Sequence, residues 1–153
     1  MTTAPKAFTE AANKGKVAEK KVSDFLKAWS EARAGTDWHR VYDAHSAGGR
    51  FNRQVYDFAF FGKGLHGGVE VKEVAHGYLL PHKNFGKDQV AKLRKRQLAG
   101  GLVIVLVYHS TTKLWRVVPL SLSLTREKGS WHLGDSPVFS TCADALNSTG
   151  AFA

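Results

Sequence analysis

Residues 55–74, VYDFAFFGKGLHGGVEVKEV, constrain the fold more than any other stretch of the chain. They read as two strands around a glycine-rich turn, because apolar and β-branched residues crowd both flanks of GKGLHGG. A period of two puts Val55, Asp57, Ala59 and Phe61 on one face of the first strand, and Tyr56, Phe58 and Phe60 on the other. On the second strand Glu70, Lys72 and Val74 share a face. Paired, the two strands can bring Asp57 close to Glu70 and Lys72.

Two carboxylates facing one point can hold a divalent cation through oxygen ligands. That suits Mg²⁺, with Mn²⁺ as the other candidate, and such a cation activates water and takes up charge on a phosphate. An ammonium at Lys72 can orient the water, help deprotonate it or steady the phosphate. Asp, Glu and Lys on a half-exposed sheet face are in most proteins only solvated surface. The flanks argue otherwise here, since Val69, Val71 and Val74 and the run DFAFF mark central strands, where an unexplained charge is costly. Charge kept in such a place points to a site.

An Asp on one strand followed by Glu-x-Lys on the next resembles the metal-dependent nuclease core usually called PD-(D/E)xK, with Asp57, Glu70, Val71 and Lys72 at its positions. Tyr56 stands where that family has its proline. The turn also contains Gly62-x-Gly64-x-x-Gly67, a dinucleotide fingerprint by pattern alone. That motif needs a helix next, to hold the pyrophosphate on its N-terminus, and a strand follows instead.

Twenty-two Lys and Arg against thirteen Asp and Glu give a formal net charge of +9 over 153 residues, which favours a polyanionic partner such as nucleic acid. The length suits one domain, expected over 13–153 with its core at 16–120, a C-terminal extension at 121–153 and a loose segment at 1–12. The longest apolar run, 102–108, is far short of the ~20 residues a membrane span needs. The N-terminus lacks an apolar signal core, and the single Cys142 rules out an internal disulfide, so a cytoplasmic location is expected.

Along the chain, Ala18, Val22, Phe25, Leu26 and Trp29 recur at helical spacing, predicting an amphipathic helix over about 13–34 that ends at Gly35. Glu19 lies on the border of its buried stripe, where it is either a surface partner for neighbouring lysines or a carboxylate looking towards a metal. WHRVYDAH, 38–45, reads as a first strand, and Arg50 and Arg53 follow in a loop that can meet phosphate. Lys63 at the tip of the glycine-rich turn can do the same, as can His66. A second helix is expected over 85–98 with Asn84 as its cap. Lys83, Lys87, Lys92, Arg94, Lys95 and Arg96 stand there against the lone Asp88, and that density favours contact with a nucleic-acid backbone. None of His39, His45, His76 and His82 has metal-ligand spacing; His39 and His45 are assigned to packing or hydrogen bonding, and His76, Tyr78 and His82 to loop packing or phosphate contact. GLVIVLVYH is a buried strand, KLWRVVPL its hairpin partner closed by Pro119, and the tail holds a short strand near Trp131 and a short helix near Cys142.

The order of a Glu-bearing first helix, Asp57, Glu70-x-Lys72, Asn84-Phe85 and Gln89 before a buried strand resembles the RecU-type and archaeal-type Holliday junction resolvases over about 16–120. The resemblance implies metal ligation by Asp57 and Glu70, a catalytic Lys72, an assisting Glu19 and a site-lining Gln89. It also implies a four-way DNA junction as substrate. The segment between Trp38 and Asp57 is short for the stalk of RecU proteins, which leaves substrate choice open. The expectation is an α/β fold with a mixed central sheet of about five strands flanked by helices, acting as a homodimer because a twofold junction needs two cuts. Other nucleases of the same core acting on duplex or flap DNA remain alternatives, as does a basic DNA-binding module with structural carboxylates.

Overall fold

The computed structural model describes residues 15–42, 44–45, 51–52, 55–75, 77, 79–85, 88–118, 126–127, 130–134 and 136–153. Helix α1 (Lys16–Ala32) is shorter than its pattern suggests and buries Ala18, Val22, Leu26 and Trp29, a single stripe at spacings of three and four. Strands β1 (Thr36–Arg40), β4 (Phe58–Gly62) and β5 (Leu65–Val74) follow, with the two-residue β2 (Ala44–His45) and β3 (Phe51–Asn52) forming a separate ribbon between them. The strand expected over 38–45 is thus broken after Arg40, where pairing with β4 ends at Phe58.

After β5 come β6 (Leu79–Pro81), a 3₁₀ turn (His82–Asn84) and helix α2 (Gln89–Leu98). The helix starts four residues later than expected. Asp88 precedes it in the left-handed region, φ 63°, with no side-chain cap, so no right-handed helix runs through that position. Then β7 (Leu102–His109) and β8 (Leu114–Val118) form the expected hairpin, with Lys113 at φ 59° completing its turn. The tail supplies β9 (Arg126–Glu127), β10 (Ser130–His132), β11 (Val138–Phe139) and helix α3 (Cys142–Asn147), which Thr141 caps by accepting from the Asp144 amide at 3.1 Å.

The central sheet has six strands in the order β1-β4-β5-β7-β8-β11, mixed because β5 and β7 run parallel and the other pairs antiparallel. The strand beyond the expected five is β11, which pairs with β8. Helices α1 and α3 cover one face. There Trp29 meets Phe152 edge-on at 5.1 Å, and Phe58, Phe60, Val69, Val71, Leu106 and Leu146 complete a cluster out of water. The opposite face carries α2, with Leu80, Phe85, Leu93, Val105, Val107 and Trp131. Each fully buried Leu or Phe contributes roughly 1.5–3 kcal/mol. Alternation in β5 therefore sends Val69 and Val71 to the α1 layer and leaves Glu70 and Lys72 under α2. Among the described residues no helix is long and apolar enough to cross a membrane.

Candidate active site

The antiparallel β4–β5 ladder starts with Phe58 opposite Val69, and Asp57, one residue ahead of it, lies close enough to Glu70 for the two charges to act on each other. Residues 55–57 form a bend before β4, yet Asp57 stays tied on both sides, its amide donating to Val69 O at 3.1 Å and its carbonyl accepting from Val41 N at 2.8 Å. Oδ2 of Asp57 accepts from the Val71 amide at 2.8 Å. The carboxylate is thereby aimed at the backbone between Glu70 and Lys72.

The bend also corrects the expected alternation. Tyr56 was placed with Phe58 and Phe60, but it packs with Ala59, Leu80 and Leu93 on the α2 side. Its ring lies over Gly68 so closely that a Cβ there would stand 2.2 Å from Tyr56 Cδ1, which is why the strand carries glycine at that point.

Asp57 and Glu70 are 5% and 3% exposed. Burial, followed by the Glu70 charge, raises the Asp57 carboxyl from 3.8 to about 7, with a smaller push from Glu19, while the Val71 amide and Lys72 act the other way. Burial also raises Glu70, against the Lys72 ammonium and the Gln89 amide, which favour its charged form. Lys72 Nζ lies 2.8 Å from Glu70 Oε1, makes a longer contact of 3.4 Å to Gln89 Oε1, and sits 4.6 Å from the centre of the Phe85 ring. Gln89 in turn donates to Val55 O at 3.0 Å.

Four of the expected site residues, Asp57, Glu70, Lys72 and Gln89, thus meet at one point between β4, β5 and the first turn of α2. Glu19 accepts from Arg40 Nη2 at 2.6 Å, and its charge raises both the Asp57 and the Glu70 carboxyl. Among the described residues no group of three or more His, Cys, Asp or Glu is arranged to hold a metal ion. The two carboxylates nonetheless fit a hard divalent cation. Oε2 of Glu70 is buried with no hydrogen-bond partner among the described residues, and the buried Asp57 carboxyl lies close enough for the Glu70 charge to raise it.

Neither a protein-family model nor a curated protein matches the chain. Among solved structures it is similar to Hjc of Archaeoglobus fulgidus, a Holliday junction resolvase from an archaeal hyperthermophile. The identity is 19%, the match covers 76% of this chain and 87% of that one, and the TM-score is 0.49.

The basic residues divide. Lys63 stands exposed in the β4–β5 turn at φ 51°, Lys83 is exposed in the 3₁₀ turn, and Lys92 and Lys95 project from α2. Arg94 is half-buried, with its Nε out of water and unpartnered among the described residues. Arg96 donates from Nη1 to Tyr56 Oη at 2.7 Å, its guanidinium 5.0 Å from the ring centre, so it is committed to the protein. Arg50, Arg53 and Lys87 lie outside the described residues, as do His76, Tyr78, Pro119 and the segment 1–12. His66 is exposed on β5 and His39 stacks on Phe61 at 5.9 Å. The contacts that the sequence did not flag are Arg96 on Tyr56 and the Lys72 ammonium over Phe85. The doublet Gly67-Gly68 before VEVKEV was the available signal for a ring lying on the strand.

Proposed function

We propose that this protein is a divalent-cation-dependent endonuclease, with a four-way DNA junction as its substrate. The observation that carries the reading is the buried constellation itself: Asp57 in the bend before β4, Glu70 near it on β5, and Lys72 bonded to Glu70 at 2.8 Å. Two acids buried side by side are costly to a fold that gains nothing from them. Asp57 and Glu70 would hold Mg²⁺ or Mn²⁺. Such an ion, when bound, supplies a Lewis acid that lowers the pKa of water and takes up charge at the phosphate.

The side chains of the chain itself do the rest. Asp57 is fixed by the Val71 amide, so its second oxygen is directed without a search through rotamers. Lys72 is the group beside the carboxylates that can orient an attacking water or neutralise charge as it builds on the phosphate, and Gln89 and Phe85 hold its ammonium in place. Exposed Lys92 and Lys95, with Lys63 and Lys83, supply cations for the DNA backbone, in keeping with the net charge of +9. Junction preference rests on the order of motif residues from Glu19 to Gln89. With one site per chain and two strands to cut, the acting form is a homodimer.

Asp57→Asn tests the role directly. The substitution keeps the shape and removes the charge, so cleavage of labelled DNA in Mg²⁺ should vanish while binding in EDTA persists. A variant that still cuts, or that fails to bind in the same buffer while remaining folded, would count against Asp57 as a cation ligand.

A further inference from the structure

Helix α2 touches the segment ahead of Asp57 at two points, seven residues apart on one face of the helix. At its start, Gln89 Nε2 donates to Val55 O at 3.0 Å. Near its end, Arg96 Nη1 donates to Tyr56 Oη at 2.7 Å. Between them Leu93 is wholly buried in the same cluster as Tyr56. The Tyr56 ring is pinned from below by Gly68, two residues before Glu70, where there is no room for a methyl group. The residue adjoining Asp57 is therefore wedged between the strand that carries Glu70 and the helix that carries the surface cations.

Resting on the proposed cation site, we propose that Arg96 and Tyr56 are positioning residues: the Arg96–Tyr56 bond fixes the bend before Asp57, and so sets the Asp57 carboxylate against Glu70. Arg96 then differs in kind from Lys92 and Lys95. Its guanidinium spans two elements, donating to the hydroxyl while stacking on the ring, a geometry that lysine cannot reproduce.

The test uses the full chain and three variants, Tyr56→Phe, Arg96→Gln and Arg96→Lys. Tyr56→Phe keeps the ring on Gly68 and loses only the hydroxyl, and Arg96 remains exposed to water at the end of α2, so all three should fold. Mg²⁺ affinity is measured by calorimetry without DNA, and the salt dependence of duplex binding is measured in EDTA. Each variant should bind Mg²⁺ about tenfold more weakly, as for loss of a group that orients a ligand, and Arg96→Lys should give no rescue. The double variant Tyr56→Phe/Arg96→Gln should be no worse than either single one, because both remove one bond. Duplex binding should keep the wild-type salt slope. The proposal is overturned if Arg96→Gln lowers that slope by about 0.9 while Mg²⁺ affinity is unchanged, since Arg96 is then a phosphate contact. Unchanged Mg²⁺ affinity in Tyr56→Phe overturns it as well. Wild-type protein that takes up no divalent cation removes the nuclease reading and this inference together, an outcome distinct from either of those.

Discussion

The Lys72 ammonium lies 2.8 Å from Oε1 of Glu70, with 13% of the lysine side chain and 4% of the glutamate side chain exposed. An ion pair so far out of water gains little over two apolar residues, but losing one partner leaves the other uncompensated.

Lys72→Ala should therefore cost about 3 kcal/mol of stability at pH 8, where Glu70 must carry its charge alone. The loss should shrink at pH 5, because burial already raises the Glu70 carboxyl and the variant lets it take a proton instead. Urea unfolding at the two pH values measures both. An equal loss at each would mean that the pair acts through packing and not through charge.

Asp57 gives the metal-free protein an inverted response to alkali. Its carboxyl is raised from 3.8 to about 7 in the folded chain, so the unfolded chain holds this proton less tightly. The associated stability is complete below about pH 4 and is lost as pH rises through about 7. Thermal unfolding in EDTA should show Tm falling between pH 6 and pH 8, and Asp57→Asn should flatten that fall. Adding Mg²⁺ should raise Tm more at pH 8 than at pH 6, since the ion competes with the proton. A Tm shift that does not depend on pH would remove the ion from these carboxylates.

His109 works in the other direction. Burial, and then the neighbouring Arg116 charge, lower its pKa from 6.5, and its Nε2 is buried without a hydrogen-bond partner among the described residues. Arg116 is itself held by the carbonyls of Leu133 and Ser136, at 2.8 and 2.9 Å. Stability from the neutral imidazole is present above about pH 6.5 and is lost as pH falls below it, because the unfolded chain takes the proton first. His109→Leu should lessen the loss of urea resistance between pH 7.5 and pH 5. An unaltered acid loss in that variant would assign the effect to other groups.

Gly68→Ala should destabilise the chain by about 1–3 kcal/mol, because the new methyl would stand 2.2 Å from Tyr56 Cδ1. The ring must move, and in moving it disturbs Asp57. Chemical unfolding and Mg²⁺ calorimetry read the two effects. A neutral substitution would show that the Tyr56 ring is not fixed on the strand.

Much of this arrangement was legible in residues near one another in sequence. The apolar run of β7, the hairpin to β8 and the stripe on α1 follow from periodicity, and the pairing of Glu70 with Lys72 follows from their spacing on one strand. The bend at 55–57 was not, because the apolar residues around Asp57 carry a strand pattern through it, and the bend's bonds go to partners far away, Val41 and Gln89. The late start of α2 had a local signal, since Gly86 is a poor helix former, and the left-handed Asp88 sets the start at Gln89. Glu19 sits on a helix border where spacing cannot choose between layers, and the choice falls to Arg40, twenty-one residues on. Contacts such as Arg96 to Tyr56, forty residues apart, leave no local pattern.

The most direct measurement is cleavage of a labelled immobile four-way junction beside a matched linear duplex, in Mg²⁺ or EDTA, by the intact protein with Asp57→Asn as control. Paired symmetric nicks on the junction alone, lost in EDTA and in the variant, are the expected result. Cutting of both substrates would keep the nuclease and remove its junction preference. Salt-sensitive binding with no cutting in Mg²⁺ or Mn²⁺ would contradict the nuclease and leave a basic DNA-binding module.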